Sequence, residues 1–521
     1  MVSIKVDGKN LEVPEGSYLL QAAKMAGLDI PALCHYEGLE HFTSCMVCIV
    51  KDVVTGRLLP SCSVLAEEGM DIVTFDEEIF QTRKAALELL LSNHTGDCQA
   101  PCQMACPAHM DIPLMNRLLE EGKVDEAIRV IDRDIPIPSV LGRICHAPCE
   151  GACRRGTIDE PVSVCLLKRY AGDFGKRIKH GKGPKSKTSG TGKVAVIGAG
   201  PAGLSAGYYL QRMGYQVILF DRNDRAGGLL YEARPGEDHY RDALEREVRH
   251  ILETGIQFRP GTDVDKNIFT EILNGHDALV LATGEMEEQQ RMWGIEPGKS
   301  GFNINRATYE TSAEKVFAIG NAVRPVRSAV RSVGHGKEAA VSVDQYFKGK
   351  DVTGYPKNFN SRFGRLLEEE FAEYLKESVP DERFQPEKGE QEGYGMDEVR
   401  AEASRCMHCD CRDIHTCKLR VFSQNHNADQ QRFKRETRRP VSKVMIHETV
   451  IYEPSKCINC GICVRLTEQN REKYGFTFIG RGFDVRIGIP FDEKLGKELS
   501  GLAEKTAMAC PTGALSKITE D

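Results

Sequence analysis

Cysteine is the residue type that dominates the chemistry open to this chain. Nineteen cysteines occur in 521 residues, in groups on both sides of one glycine-rich turn. Thiolates bind zinc and iron–sulfur clusters, and in oxidising compartments thiols pair into disulfides. The sequence contains no apolar run long enough to span a membrane, and its first residues do not form a secretion signal. We therefore expect a cytoplasmic protein whose cysteines bind metal rather than one another.

The first cysteine group combines three thiols of one segment with a fourth, more distant thiol. Its spacing, C-x10-C-x2-C-x13-C, fits a [2Fe–2S] cluster, whereas four-cysteine zinc sites usually contain two close pairs. The pattern resembles the [2Fe–2S] domain at the start of the large iron–sulfur subunit of respiratory complex I and of related hydrogenases. The resemblance implies a β-grasp-type domain over residues 1–78. Zinc is the alternative metal for these four cysteines. The expected ligands are Cys34, Cys45, Cys48 and Cys62.

Residues 79–180 contain a denser group of cysteines. The segments C-Q-M-A-C-P from Cys102 and C-x3-C-x3-C from Cys145 resemble the amino-terminal two-cluster domain of the glutamate synthase small subunit and of dihydropyrimidine dehydrogenase. The resemblance implies a helical domain in which two sulfur-rich segments interleave to hold two [4Fe–4S] clusters. One implied ligand set is Cys98, Cys102 and Cys153, and the other is Cys106, Cys145 and Cys149.

Each of these two sets has only three ligands, because the residue that the family usually has as the fourth ligand is absent here. Lys168 stands near a position where the family often has Glu or Gln, and a protonated lysine cannot ligate iron. Cys165 lies one helical turn before Lys168 and is the expected replacement. His94 precedes Cys98 with a spacing similar to that at the histidine-ligated cluster of the complex I subunit, so we expect His94 to complete the other set. The alternative for His94 is an ordinary surface histidine.

A strand–turn–helix unit begins at Lys193. The apolar run KVAVI is followed by the turn GAGPAG, by a predicted helix over 204–213, and by a second predicted strand that ends in an acid. This order is the dinucleotide-binding fingerprint. Its first glycine allows the tight turn, the second lets the backbone approach a pyrophosphate, the third lets the helix pack on the strand, and the acid binds a ribose hydroxyl. A glycine-rich turn without a ligand is the alternative, and the register of strand, helix and acid disfavours it. The expected contacts are Gly198, Gly200, Gly203 and Asp221.

Three further segments resemble the flavin domain of the glutamate synthase small subunit: GGLLY, LVLATG and VFAIGN. The resemblance implies that the dinucleotide is FAD and that it is bound within residues 193–350. In that family an NADPH domain lies between the last two segments. Only 35 residues separate Gly284 from Gly320, however, and no second G-x-G-x-x-G occurs, so we expect no pyridine-nucleotide site in this chain. The additional expected FAD contacts are Gly227, Gly228, Thr283, Gly284, Gly320 and Asn321.

Two more cysteine groups lie in the carboxyl-terminal third. One, in a connector at 351–440, has the spacing C-x2-C-x-C-x5-C and fits either a [4Fe–4S] cluster or zinc. The other, at 441–521, contains the C-x2-C-x2-C run of bacterial ferredoxins and a distant Cys-Pro, with Thr467 where the usual fourth cysteine stands. It predicts a ferredoxin-like domain with one [4Fe–4S] cluster. The expected ligands of the first group are Cys406, Cys409, Cys411 and Cys417. Those of the second group are Cys457, Cys460, Cys463 and Cys510.

Together these patterns predict a multidomain α/β and α+β protein: a β-grasp-type domain, a helical domain, a Rossmann-like FAD domain and a ferredoxin-like domain. Residues 181–192, rich in Lys, Gly and Ser, predict a flexible linker. Nineteen cysteines and His94 divide into five sets of four, and we expect one FAD, one [2Fe–2S] and three to four [4Fe–4S] clusters. The net charge of −7 argues against nucleic acid as a partner.

The pattern leaves three functions open. The first is an electron-transfer subunit of a soluble anaerobic oxidoreductase complex, with a NADH-binding flavoprotein subunit, a catalytic subunit and ferredoxin as partners, and with flavin-based bifurcation by family analogy. The second is a self-sufficient NAD(P)H oxidoreductase, which the missing nucleotide domain disfavours. The third is a zinc-rich scaffold, which the flavin fingerprint disfavours. No acid–base pair or nucleophilic triad stands out, so we expect no catalytic side chain.

Overall fold

The computed structural model describes residues 1–40, 42–177, 192–285, 287–433, 438–472, 474–482, 485–492 and 500–518. The chain forms two compact units, each made of separate segments. The terminal unit consists of residues 1–99, 358–376 and 409–521, and the central unit consists of residues 100–357 and 377–408. The predicted linker lies outside the described residues except for Gly192.

Helices and strands alternate irregularly along the chain. The helices are α1 (Leu19–Met25), α2 (Glu77–Asn93), α3 (Pro101–Ala105), α4 (Ile112–Glu120), α5 (Val124–Asp134), α6 (Pro138–Ile144), α7 (Pro148–Gly151), α8 (Val164–Phe174), α9 (Pro201–Arg212), α10 (Asp238–Leu252), α11 (Lys266–Gly275), α12 (Ala329–Phe347), α13 (Phe371–Leu375), α14 (Met396–Ala403), α15 (Lys418–Asn425), α16 (Ile462–Gln469) and α17 (Ser500–Ala509). The strands are β1 (Val2–Val6), β2 (Lys9–Val13), β3 (Ile49–Asp52), β4 (Leu58–Pro60), β5 (Asp71–Val73), β6 (Lys193–Ile197), β7 (Gln216–Phe220), β8 (Gln257–Arg259), β9 (Ala278–Leu281), β10 (Val316–Ala318), β11 (Val444–His447), β12 (Val450–Tyr452), β13 (Thr477–Ile479), β14 (Arg486–Gly488) and β15 (Leu515–Lys517).

The amino-terminal part of the terminal unit is a mixed sheet packed against α1. Its strands lie in the order β2-β1-β5-β3-β4, and β1 is parallel to β5 while the other pairs are antiparallel. Asp7 and Gly8 both have positive φ and form the tight turn between β1 and β2, as the Asp-Gly pair predicts. Arg83 of α2 is buried and donates hydrogen bonds to the carbonyls of Ile49 and Thr74, so α2 is fixed to the sheet.

The carboxyl-terminal part of the terminal unit is a second small α+β core. Strands β11, β12 and β15 form an antiparallel sheet, and β13 and β14 form a hairpin beside it. The buried side chains of Val450, Tyr452, Ile487 and Leu515 belong to one apolar cluster that also contains Cys463. Apolar residues of this core therefore surround the cysteine-rich segment that follows β12.

A five-stranded parallel sheet forms the core of the central unit. Its strand order is β10-β9-β6-β7-β8, with β6 in the middle. Strand β9 is buried along its whole length, as is typical of a parallel sheet covered on both faces. Helix α9 follows β6 after the glycine-rich turn, and α12 packs closely on α9. That approach requires Gly336, because a Cβ there would lie 2.5 Å from the carbonyl oxygen of Ala202.

Helices α6 and α8 of the central unit cross in close contact because glycine occurs at the crossing. A Cβ at Gly142 would lie 2.5 Å from the Cβ of Arg169, and a Cβ at Gly172 would lie 2.7 Å from the backbone of α6. Helix α6 ends with Cys145 as its C-cap, and α8 carries Cys165 in its first turn. The close crossing therefore determines how near these two cysteines lie.

The segment 377–408 returns to the helical part of the central unit and is held there by buried arginines. Arg155, which is fully buried, donates hydrogen bonds to the carbonyls of Val379 and Arg405 at 2.8 Å each and to the carboxylate of Asp159 at 2.7 Å. Arg405 is also fully buried and forms an ion pair with Asp159 at 3.3 Å. Because a buried charge that loses its partner is strongly destabilising, this network fixes the returning segment in place.

The amphipathic pattern of residues 362–376 predicts one helix, but the structure forms only the 3-10 turn Glu368–Glu370 and the short helix α13 there. Before them, the backbone N–H of Phe363 donates to the carboxylate of Asp97, and that of Ser361 donates to the sulfur of Cys98 at 3.3 Å. These tertiary hydrogen bonds hold residues 361–363 in a loop. The sequence also predicts a helical stretch over 113–131, and the structure divides it into the separate helices α4 and α5.

We predict that Gly142→Ala destabilises the central unit by about 1–3 kcal/mol, because the new methyl group must force α6 away from α8. The measurement is the midpoint of thermal unfolding of the full chain, which should fall. Gly151→Ala is the matched control, since a Cβ at Gly151 meets no atom within 4 Å. Equal midpoints for the two variants would contradict the close crossing.

Candidate metal and dinucleotide sites

All nineteen cysteines are free thiols, and every one is buried or half-buried. Among the residues that the structure describes, no group of three or more His, Cys, Asp or Glu side chains is arranged to hold a metal ion. The ligands of an iron–sulfur cluster stand further apart than those of a single metal ion. In a [4Fe–4S] cluster each protein ligand binds a different iron atom, and in a [2Fe–2S] cluster two ligands bind each iron atom. Candidate cluster sites are therefore found from the groups in which the thiols lie.

The structure brings together the four predicted [2Fe–2S] ligands. The sulfur atoms of Cys34 and Cys45 lie 3.4 Å apart. Strands β3 and β4 pair directly after Cys48 and shortly before Cys62, with Ile49 opposite Pro60, so the hairpin places these two thiols side by side. Hydrogen bonding to Cys62 lowers the pKa of Cys48 to about 7. Four thiols in mutual contact are a donor set that fits the cluster.

The four predicted ferredoxin-type ligands also share one site. Cys457, Cys460, Cys463 and Cys510 line a single small cavity in the carboxyl-terminal core. Burial, together with the neighbouring thiols, raises the pKa of Cys460 well above its usual value. Thr467, which replaces the usual fourth cysteine, donates its hydroxyl hydrogen to the carbonyls of Cys463 and Val464 at 3.1 and 2.9 Å. The Thr467 hydroxyl is therefore bonded within α16, and Cys510 is the fourth cysteine that lines the cavity.

A third group lies in the central unit around a buried lysine. Cys145 and Cys165 are hydrogen-bonded to each other, and Cys165 is also bonded to Cys149. Burial lowers the pKa of Lys168, but the thiolates of Cys165, Cys145, Cys149 and Cys106 together raise it above its usual value. The group contains the three expected cysteines and Cys165, the residue expected to replace the family's Glu or Gln.

The contacts of Cys98 indicate a group other than the predicted set of Cys98, Cys102 and Cys153. The backbone N–H of Cys411 donates to the carbonyl of Cys98 at 3.1 Å. Cys98 also adds to the negative charge around both Cys411 and Cys417, and burial raises the pKa of Cys411 to about 12. Cys98, Cys411 and Cys417 therefore form one group within the terminal unit.

Cys153 has a different neighbour, Cys406. The charge of Cys406 adds to burial in raising the pKa of Cys153. Cys153 lies two residues before Arg155 and Cys406 directly follows Arg405, so the buried arginine network holds both cysteines in the central unit. The predicted set of Cys406 to Cys417 is thus divided between the two units. Cys102 lies on α3, which packs against α7 near Cys153, and we assign Cys409 to no group.

His94 is buried in the terminal unit and is not a surface histidine. Its Nδ1 lies 3.0 Å from the carbonyl oxygen of Lys456, so Nδ1 carries the proton and Nε2 carries the free lone pair. Burial and the charge of Lys456 lower the pKa of His94 to about 4, which keeps the ring neutral, as a metal ligand must be. His94 and Cys411 share Lys456 and Glu453 as charged neighbours.

The glycine-rich turn after β6 opens onto a cavity of about 1270 Å³. Seven of the ten predicted dinucleotide contacts line it: Gly198, Gly200, Asp221, Gly228, Thr283, Gly284 and Asn321. A Cβ at Gly203 would lie 1.8 Å from the carbonyl oxygen of Gly198, so this glycine is required for α9 to pack on the turn. A Cβ at Gly200 meets no protein atom within 4 Å and would enter the cavity. The cavity is large enough for a whole dinucleotide.

Three residues that line this cavity carry polar atoms without partners. The Thr283 and Ser328 hydroxyls and the Trp293 ring nitrogen are buried and have no hydrogen-bond partner among the described residues. The carboxylate of Asp221 accepts a hydrogen bond from the N–H of Ala199 at 2.6 Å, and thus braces the turn. Ser328 and Trp293 belong to no motif, and sequence reasoning missed them. A bound dinucleotide fits this donor set.

Cys145 and His146 also line the dinucleotide cavity. Cys145 belongs to the thiol group around Lys168 and comes from the helical part of the central unit. The wall of the cavity is therefore shared between the parallel sheet and the cysteine-rich helices. Sequence reasoning did not predict this contact, because it depends on the packing of two segments that are distant in the chain.

Family models match four parts of the chain. Residues 1–77 match a 2Fe-2S iron–sulfur cluster binding domain, and residues 77–180 match dihydropyrimidine dehydrogenase domain II with its 4Fe-4S cluster. Residues 196–268 match an NAD(P)-binding Rossmann-like domain, and residues 448–516 match the ferredoxin-like domain of NADH-quinone oxidoreductase subunit 3. The chain combines three iron–sulfur domains with a Rossmann-like dinucleotide domain. These matches confirm the predicted domain types, and among the described residues no helix is long and apolar enough to cross a membrane.

Curated relatives match parts of the chain. It is 35% identical over 229 residues to the NADP(+)-dependent formate dehydrogenase subunit beta of Moorella thermoacetica, over 39% of this chain and 32% of that protein. It is 35% identical over 208 residues to the NADPH-Fe(3+) oxidoreductase subunit beta of Geobacter sulfurreducens, over 39% and 30%. It is 33% identical over 241 residues to the glutamate synthase [NADPH] small chain of Bacillus subtilis, over 43% and 48%. The chain thus spans less than half of each relative's length.

We predict that Cys98→Ala and Cys411→Ala remove the same iron–sulfur signal, since both thiols belong to one group. Cys153→Ala and Cys406→Ala should remove a second, different signal. The measurement is electron paramagnetic resonance of each dithionite-reduced variant, with iron analysis. If Cys98→Ala instead removed the signal that Cys153→Ala removes, the original sequence-based set would be correct and the grouping by contacts would fail.

We predict that Gly200→Ala leaves the fold intact but weakens dinucleotide binding at least about tenfold, because the new methyl group occupies the place of the pyrophosphate. The measurement is cofactor content and dissociation of the purified chain, with its unfolding midpoint. Gly275→Ala, in open space at the end of α11, is the control and should bind normally. Normal binding by Gly200→Ala would place the ligand elsewhere.

Proposed function

We propose that this chain is the electron-transfer subunit of a multi-subunit oxidoreductase, with FAD in the dinucleotide cavity and clusters at the thiol groups. FAD, when bound, exchanges electrons in pairs or singly, whereas each iron–sulfur cluster passes one electron at a time. The observation that carries the proposal is the position of Cys145, which belongs to a four-thiol group and lines the dinucleotide cavity. An electron leaving that cavity meets a cluster ligand at its wall.

The choice of FAD rests on the sequence and on the walls of the cavity. The segments that hold Gly228, Thr283 and Asn321 are those that resemble the flavin domain of the glutamate synthase small subunit, and all three residues line the cavity. Unpartnered polar atoms at Thr283 and Ser328 lie where a dinucleotide needs donors and acceptors. We assign Gly198 and Gly200 to the pyrophosphate, Gly203 to the packing of α9 on the turn, and Asp221 to the turn and the ribose.

The proposed cluster content is one [2Fe–2S] and up to four [4Fe–4S]. The [2Fe–2S] cluster belongs to the group at Cys34, and [4Fe–4S] clusters belong to the groups at Cys145 and Cys457. A further [4Fe–4S] cluster is proposed for Cys98, Cys411 and Cys417 with His94 as the fourth ligand, because His94 is neutral, buried and close to the same charged neighbours. Cys102, Cys153 and Cys406 are proposed as three ligands of another cluster.

The connection between β9 and β10 supports the absence of a pyridine-nucleotide site. These strands are parallel neighbours in the sheet, with Leu279 opposite Val316. In the described part of the segment that joins them, only one short 3-10 helix, Glu288–Trp293, is present. A nucleotide-binding βαβ unit needs about 30 residues of its own. We therefore propose that electrons from NADH enter through a NADH-binding partner subunit.

The relatives support a place in a complex. Two of them are named as beta subunits, of a formate dehydrogenase and of an Fe(3+) oxidoreductase, and the third is a small chain. We propose a NADH-binding flavoprotein subunit, a catalytic oxidoreductase subunit and ferredoxin as partners. All three relatives carry NADP(H) in their names, which favours a second candidate, a self-sufficient NAD(P)H oxidoreductase.

We predict that the isolated chain binds FAD but is reduced by NADH or NADPH at least about 100-fold more slowly than by dithionite, because nothing holds the nicotinamide against the flavin ring. The measurement is anaerobic stopped-flow absorbance with each reductant. The Gly200→Ala variant, with the flavin removed from it before mixing, reports how much of the absorbance change comes from the clusters.

Fast, saturable loss of the flavin absorbance with NADH or NADPH alone would contradict the proposal and favour the self-sufficient enzyme. Addition of a NADH-binding partner subunit should restore fast reduction by NADH. Zinc in place of iron at the cysteines would contradict both functions.

A further inference from the structure

Lys168 is a charged side chain enclosed by cysteines. It is 3% exposed, and its ammonium donates to the sulfur of Cys165 at 3.9 Å. Lys168 and Cys165 lie one turn apart on α8, and the charges that act on Lys168 also include those of Cys145 and Cys149. A lysine is almost never buried unless it is paired, and thiolates bound to a cluster would supply the opposite charge.

A second buried lysine provides the contrast. Lys456 lies beside Cys411 in the terminal unit, but its ammonium forms an ion pair with the carboxylate of Glu453 at 2.5 Å. The Lys456 and Glu453 pair has no net charge. The ammonium of Lys168 lies 3.9 Å from the sulfur of Cys165, and among the described residues no carboxylate forms an ion pair with it. The two cysteine groups therefore differ in the net charge that the neighbouring side chains place next to them.

We propose that the ammonium of Lys168 raises the reduction potential of the cluster held by Cys106, Cys145, Cys149 and Cys165, and so makes this cluster a preferred electron acceptor at the dinucleotide cavity. The inference rests on the proposed function, because it requires a cluster at these cysteines. Reduction adds one electron and hence one negative charge to the group, with no bond made or broken. A positive charge within a few ångströms stabilises the added charge, and net charge is one of the factors that set cluster potentials.

The position of Lys168 explains why a lysine, and not a ligand, occupies it. Cys165 supplies the fourth thiol one turn earlier, so the side chain at 168 is free of ligation. Lys168 is buried on α8, which crosses α6 closely at Gly142. In such an interior a charge acts more strongly than it does in water.

The experiment compares Lys168→Leu, which removes the charge and cannot ligate iron, with Lys168→Arg in the full chain. An anaerobic redox titration followed by electron paramagnetic resonance gives the midpoint potential of each cluster, and the signal absent from Cys145→Ala identifies the cluster in question. Lys168→Leu should keep its iron and lower the reduction equilibrium constant of this cluster at least about tenfold, which for one electron is about 59 mV. Lys168→Arg keeps the charge and should keep the potential.

The double variant Lys456→Gln with Glu453→Gln is the matched control, because it removes two buried charges whose sum is zero. It should leave the potential of the Lys168 cluster unchanged and shift that of the Cys98 group by less than Lys168→Leu shifts its own cluster. Loss of the cluster in Lys168→Leu but not in Lys168→Arg would also support the proposal, because assembly would then depend on the charge.

An unchanged potential in Lys168→Leu, or loss of the cluster in both Lys168 variants, would overturn the proposal and leave Lys168 a packing role. Failure of the proposed function is a separate result. In that case the unmodified chain would contain no iron–sulfur signal that Cys145→Ala removes.

Discussion

A thiolate that is taken out of water carries a charge that a protein interior holds only beside a cation or a metal. Thirteen of the nineteen cysteines are buried, and none is in a disulfide. Burial raises the pKa of most of the thiols, so that without metal they resist ionisation. Binding to iron favours the ionised thiolate, because the positive metal compensates a negative charge that is unfavourable in the protein interior. The fold of both units therefore depends on the groups that the thiols can form.

Backbone geometry prepares several thiols for this role. Cys417 is the N-cap of α15, and its sulfur accepts from the N–H of Arg420 at 3.4 Å. The sulfur of Cys457 accepts from the N–H of Asn459, also at 3.4 Å, and Cys98 accepts from Ser361. Amide groups aimed at sulfur stabilise negative charge, as helix amino termini do for other anions. The same contacts fix each thiol to a defined element.

Groups that lie within one supersecondary element could be predicted from spacing alone. The Cys34 group depends on one loop and the β3–β4 hairpin, and the Cys457 group depends on one loop and a returning Cys-Pro. The dinucleotide turn is likewise local, and its strand, helix and Asp221 occur where the fingerprint predicts them. In these cases the sequence separation is short or the motif is specific enough to state which residues meet.

Groups that join distant segments could not be predicted in this way. Cys98 stands four residues before Cys102, which favours a shared cluster, but its contacts are with Cys411 and Cys417. Cys406 stands close to Cys411 in sequence, but its neighbour is Cys153. These pairings depend on buried charges such as Arg155 and Arg405 and on tertiary backbone hydrogen bonds. Neither feature produces a periodic pattern in the sequence from which it could be predicted. The cavity residues Trp293 and Ser328 were missed for the same reason.

Determination of iron, acid-labile sulfide, zinc and released flavin in the anaerobically purified full chain tests directly whether the thiols hold iron–sulfur clusters and the cavity holds FAD. One [2Fe–2S] and four [4Fe–4S] clusters predict about 18 iron atoms and about 18 sulfides per chain, with one FAD and no zinc. Stoichiometric zinc, iron without sulfide, or a released NAD(P) in place of FAD would rule out this cofactor content.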